Sequence, residues 1–102
     1  MRLVLYHCPS EDVEKIGRLL IEKGLAASVN AVSGVRRMYL EDDGIHIHDG
    51  TMLMIQTLVL NLQELIEAIV ELYPSITPAM ISLKIIEGSQ EYMVWVESHL
   101  KQ

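Results

Sequence analysis

A chain of 102 residues has room for one hydrophobic core and little material for a second, and half of its residues are apolar, a high share for so small a body. Fourteen acidic residues against eight basic ones give a formal charge of -6 without any Lys/Arg cluster, which opposes nucleic acid or an anionic membrane as partner. One cysteine excludes an internal disulfide, and the N-terminal MRLVLYHCPS is too brief for a secretory signal or membrane span, so a soluble, cytoplasmic chain is expected.

Arg2 to Cys8 is a short, nearly continuous apolar run, as expected of a strand covered on both faces. PSEDVEKIGRLLIEKG predicts a helix with Ser10 as N-cap, Glu11 and Asp12 in the first turn, and Gly24 as terminator. Val13, Ile16, Gly17 and Leu20 share its inner face, and Glu11 to Lys15 and Glu14 to Arg18 are favourable i,i+4 pairs outside.

From Ala26 the period becomes two. Ala27, Val29 and Ala31 alternate with Ser28, Asn30 and Val32, and the alternation resumes after Ser33-Gly34 with Val35, Arg37 and Tyr39 against Arg36, Met38 and Leu40. Gly34 reads as a bulge or bend in one long strand. Asp42-Asp43-Gly44 signals a turn, and the return arm runs through Thr57, opening with GIHIHDG.

LNLQELIEAIVELYP predicts the second helix, with Asn61 and Glu64 as a capping box, Leu60 and Leu65 as a hydrophobic staple, and Leu62, Leu65, Ile66, Ile69 and Leu72 as its stripe; Pro74 ends it. AMISLKII is a last strand with Ile81, Leu83 and Ile85 on one face, and Ser89 caps a final helix carrying Tyr92, Trp95 and Val96. The order βαββαβ plus a C-terminal helix is the split βαβ, ferredoxin-like α+β arrangement over residues 1–102, an antiparallel sheet with helices on one face and a long central hairpin.

A globule of this length spans roughly 33 Å. The strand from Ala26 to Leu40 would reach about 50 Å at roughly 3.3 Å per residue. It overshoots, and it lies at a sheet edge where unpaired backbone groups invite pairing. Consecutive apolar residues Leu3, Val4, Leu5 and Tyr6 also ask for cover on both faces, which two helices cannot give. Closed rotational symmetry supplies both needs, so an oligomer is expected.

EKIGRLLIEKGLAASVNAVSGVRRMYLEDDGIHI, MLMIQT, the Pro-containing segment after the second helix, and IIEGSQEYMVWV together resemble the CutA family, named for divalent-cation tolerance. Tyr39, Pro74, Pro78, Glu87, Gly88, Tyr92 and Trp95 match its pattern. The resemblance implies a very stable homotrimer joined through long hairpins, associated with copper and other divalent ions, that binds weakly or serves as an adaptor and does not catalyse. No organic cofactor is implied. The departures concern ligands: Ser28 stands where the family carries a cysteine, Tyr73 to Met80 lack its histidine and both acids, Leu40 replaces a tryptophan and Gln56 a lysine. A soft copper ligand is thereby lost.

His46 and His48 stand two apart in a strand, so both side chains leave one face and can reach one ion. Imidazole suits copper, zinc and nickel, and Asp49 or Asp42 offers an oxygen; the plainer reading is the polar arm of a hairpin in solvent. Cys8 and His7 point to opposite faces and cannot pair as nucleophile and base, so Cys8 reads as a buried small hydrophobe. Met38, Met52 and Met54 offer thioethers or simply fill the core. Arg36 and Arg37 are candidates to hold an anion in a cleft between subunits, which the family likeness implies is lined by Tyr39, Tyr92 and Trp95, with Glu87 a further candidate; by themselves these are edge charges, packed aromatics and a turn acid. A PII-like trimeric small-ligand sensor is the alternative of another class, although no glycine-rich phosphate loop is present. A cofactor-free oxygenase fits less well, because no base and nucleophile pair up.

Overall fold

Alternation decides which way each strand faces. In β1 (Arg2–Cys8), Val4, Tyr6 and Cys8 are buried while Leu3, Leu5 and His7 leave the opposite side. In β3 (Gly44–Thr57), Thr51, Leu53, Ile55 and Thr57 are buried on the same side as Val4, Tyr6 and Cys8. Helix α1 (Val13–Glu22) lays Ile16, Gly17 and Leu20 over this face, and α2 (Val59–Leu72) adds Leu65, Ala68 and Ile69 to one core. Each large apolar side chain so buried contributes about 1.5–3 kcal/mol.

The computed structural model describes residues 1–101. Its sheet is wholly antiparallel in the order β2-β3-β1-β4, with β2 (Ser28–Glu41) and β4 (Met80–Lys84) as edges and α3 (Gln90–Ser98) following. This is the expected split βαβ order. The hairpin of β2 and β3, at 14 residues a strand, stretches the molecule to 47 Å against 25 and 21 Å across.

Two glycines shape that hairpin. The register passes from Val32 opposite Met52 to Val35 opposite Gly50, so Ser33 and Gly34 together face Thr51, with Gly34 at φ 69°. The bulge stands where the period breaks in the sequence. At the tip, Asp42 and Asp43 have negative φ and Gly44 takes φ 121°, which side chains rarely adopt.

Three boundary expectations are corrected. Strand β2 begins at Ser28 because the amides of Leu25 and Ala26 both still donate to Leu20 O, after Gly24 ends α1 at φ 70°. Ser10 does not cap α1: it lies in a 3-10 turn (Ser10–Asp12), and its hydroxyl bonds Thr51 Oγ1 at 2.9 Å. Asn61 and Glu64 form no capping box and Leu60 no staple. Helix α2 starts earlier, at Val59, which leaves Leu60 61% exposed and puts Asn61 inside the helix, donating from Nδ2 to Lys101 O at 2.6 Å. Glu64 pairs with Lys101 Nζ at 2.9 Å, so both residues clasp the C-terminal segment.

Candidate functional site

Beyond the bulge the hairpin runs free of the helices and shows two faces. Cross-strand pairing puts Tyr39 opposite His46 and Arg37 opposite His48 on one face; Met38 opposite Ile47, Leu40 opposite Ile45 and Arg36 opposite Asp49 share the other. Met38, expected as core filling, is 67% exposed; Met52 and Met54 are half-buried on the sheet face away from α1 and α2.

On the first face the His46 and His48 rings lie 6.2 Å apart and 23° from parallel, and Tyr39 stands 5.5 and 5.6 Å from them. The Arg37 guanidinium rests on the Tyr39 ring, 4.0 Å from its centroid. His46 Nε2 contacts Asp43 Oδ1 at 2.7 Å. Asp49 is turned away and forks with Arg36, Nε to Oδ1 at 2.8 Å and Nη2 to Oδ2 at 3.4 Å. That guanidinium, by its hydrogen bond and its charge, holds the Asp49 carboxyl below the usual carboxylate range. The structure therefore brings His46 and His48 together and puts Asp43, not Asp49, beside them. Strand alternation carried the signal, since 49 differs in parity from 46 and 48. Among the described residues no three His, Cys, Asp or Glu side chains converge as a metal site.

The remaining cleft candidates lie at the other end of the sheet. Tyr92 stacks on Trp95 at 5.7 Å, Trp95 on His99 at 4.4 Å, and Tyr92 OH donates to Gln56 Oε1 at 3.4 Å. Glu87 is exposed in the segment before α3. Gln56 and His48 are eight residues apart on β3, about 27 Å at roughly 3.4 Å per residue. Within one chain Arg36, Arg37 and Tyr39 do not meet Glu87, Tyr92 and Trp95. His99, which completes the aromatic stack, has no motif to announce it.

The buried titratable groups gather behind β1. Burial, with the Asp12 and Glu11 charges, pushes the Cys8 thiol up to about 11; burial first, then Cys8 and Asp12, pushes the Tyr6 phenol up to about 12. The Tyr73 hydroxyl donates to Asp12 Oδ2, and burial together with that bond raises its pKa. His7 leaves the opposite face from Cys8, as expected.

A family profile described as CutA1 divalent ion tolerance protein matches residues 2–99. The divalent-cation tolerance protein CutA of Thermus thermophilus is 32% identical over 98 residues, covering 95% of each chain. A CutA homolog of Danio rerio is 34% identical over 95 residues, 92% of this chain, which spans only 63% of that relative's length. A solved structure of the divalent cation tolerance protein of Thermus thermophilus superposes with a TM-score of 0.93 at 30% identity, covering 99% of this chain and 100% of that one.

Proposed function

The chain belongs to the CutA1 family of divalent ion tolerance proteins, and from that footing we propose that it serves divalent-cation tolerance, copper included, as a cytoplasmic homotrimer that binds and does not catalyse. The observation that carries the assembly is uncovered apolar surface. Ile81 and Leu83 on β4 are 60% and 47% exposed, facing away from α1 and α2, and the hairpin's apolar face leaves Leu40 and Ile45 78% and 73% exposed. These are two separate patches, on opposite faces of the sheet, and isolated soluble chains rarely leave apolar patches of this kind in water.

The split candidate site supports the same reading. A head-to-tail contact between copies, closed into a ring, sets the hairpin end of one subunit against the α3 end of the next. Arg36, Arg37 and Tyr39 of one chain then approach the Glu87, Tyr92 and Trp95 positions of its neighbour. The open outer edges of β2 and β4 favour such closure, because edge strands left bare invite uncontrolled pairing. No helix among the described residues is long and apolar enough to cross a membrane.

The role is tested in cells lacking the gene, challenged with graded Cu(II) and Zn(II) and complemented with this chain. Restored growth at metal concentrations that arrest the deletion strain is expected. Identical metal sensitivity with and without the chain contradicts the role.

A further inference from the structure

We propose that His46 and His48 form a divalent-metal site on the exposed face of β3, with Asp43 behind it, and that among the common divalent ions it prefers Cu(II). The inference deepens the tolerance role proposed above and rests on it for its physiological meaning.

The donor set fits such an ion. An imidazole that binds metal through one ring nitrogen is commonly held through the other by a carboxylate, which fixes the tautomer and raises ligand basicity. His46 has that arrangement already: Nε2 is engaged by Asp43 Oδ1 at 2.7 Å, which leaves Nδ1 as the free donor. Neither ring nitrogen of His48 has a hydrogen-bond partner among the described residues, and its side chain is exposed. An ion held at about 2.0–2.1 Å by one nitrogen of each ring accommodates centroids up to roughly 6 Å apart. The observed 6.2 Å calls for a small turn of the free His48 ring.

Local charge assists. Glu41, Asp42 and Asp43 make the hairpin tip acidic, and acidic clusters raise the local cation concentration. Arg37, the cross-strand neighbour of His48, opposes a second cation, but it lies on the Tyr39 ring. Two imidazoles with water in the remaining positions make an open, exchangeable site. Imidazole donors place Cu(II) above Ni(II) and Zn(II) in the divalent series. The family cysteine, replaced by Ser28, has no part in it.

The test is calorimetric titration of the full chain with Cu(II) and Zn(II), with electron paramagnetic resonance of the copper form. Wild type is expected to take up one Cu(II) per chain, with hyperfine structure from two nitrogens, and Zn(II) at least 10-fold more weakly. His46→Gln and His48→Gln each lower Cu(II) affinity by 10-fold or more, and the double variant removes the signal. Asp43→Asn retains the two-nitrogen signature and loses about 10-fold in affinity. None of these side chains is buried, so the variants fold, and sedimentation of each confirms assembly. Copper uptake unchanged in the double variant, or a copper spectrum without nitrogen coupling, overturns the site while a trimer in the same samples leaves the family reading standing. Histidine-dependent uptake by a protein that never protects cells from metal has the opposite meaning.

Discussion

His7 donates from Nε2 to the carbonyl oxygen of Val35 at 3.0 Å, reaching from β1 past β3 to the strand beyond. The ring passes over Gly50, where a Cβ would stand 2.7 Å from both His7 Cε1 and Cys8 O. A missing side chain thus lets one imidazole tie β1 to the first residue after the bulge.

Gly50→Ala is therefore expected to cost about 1–3 kcal/mol, as overpacking does. His7→Ala, which loses one half-buried hydrogen bond, costs about 1 kcal/mol. Because Cys8 O is backbone and cannot step aside, adding His7→Ala to Gly50→Ala does not restore stability. Urea midpoints of the three variants decide it, and recovery in the double variant would assign the whole clash to the imidazole.

The C-terminal clasp separates a buried bond from an exposed one. Asn61 is 3% exposed and donates to Lys101 O, whose amide donates to Gly24 O at 2.7 Å. Asn61→Ala should cost about 1–3 kcal/mol through the orphaned carbonyl, and hydrogen exchange at Lys101 should accelerate. Glu64→Ala removes only a half-exposed ion pair and should fall within about 1 kcal/mol of wild type.

Alkaline pH should destabilise the protein. Cys8 and Tyr6 bind their protons more tightly when folded, up to about 11 and about 12. Between their ordinary values, 9.0 and 10.0, and these raised ones the unfolded chain holds fewer protons than the native one. Stability is then full below about pH 9 and declines as pH rises. Urea midpoints from pH 8 to 12 should fall in that window, and Tyr6→Phe should flatten the upper part. The folded thiol should also react slowly with alkylating reagents near neutrality.

Arg37 should act against the copper site. Its guanidinium is the nearest fixed positive charge on the face shared by His46 and His48, held over Tyr39. Arg37→Gln is expected to tighten Cu(II) binding a few-fold at low ionic strength, with the difference shrinking in salt. The comparison is made by calorimetry at two salt concentrations. Weaker binding in the variant would mean that Arg37 helps to build the site.

Signals with a short period are legible in the sequence. The 3.6 period of α1, the alternation of β2 and β3, the break at Gly34 and the stop at Gly24 are written within a turn or a strand of themselves, and the structure follows them. The cap expectations fail because Ser10 and Asn61 are engaged by Thr51 and Lys101, 41 and 40 residues away, contacts that no local pattern encodes. Strand parity separates Asp49 from the two histidines and is enough to discount it. Asp43 is brought to His46 by the turn at Gly44, a matter of backbone conformation more than of spacing. Met38 reads as core in the sequence because alternation assigns a face without saying whether anything lies against it.

Sedimentation equilibrium of the purified chain from micromolar dilution upward tests the central claim most directly. A single species of three times the chain mass is expected, with Ile81→Asp shifting it toward smaller, still folded species. A well-folded monomer over the whole range would contradict the trimer and any site completed between its subunits.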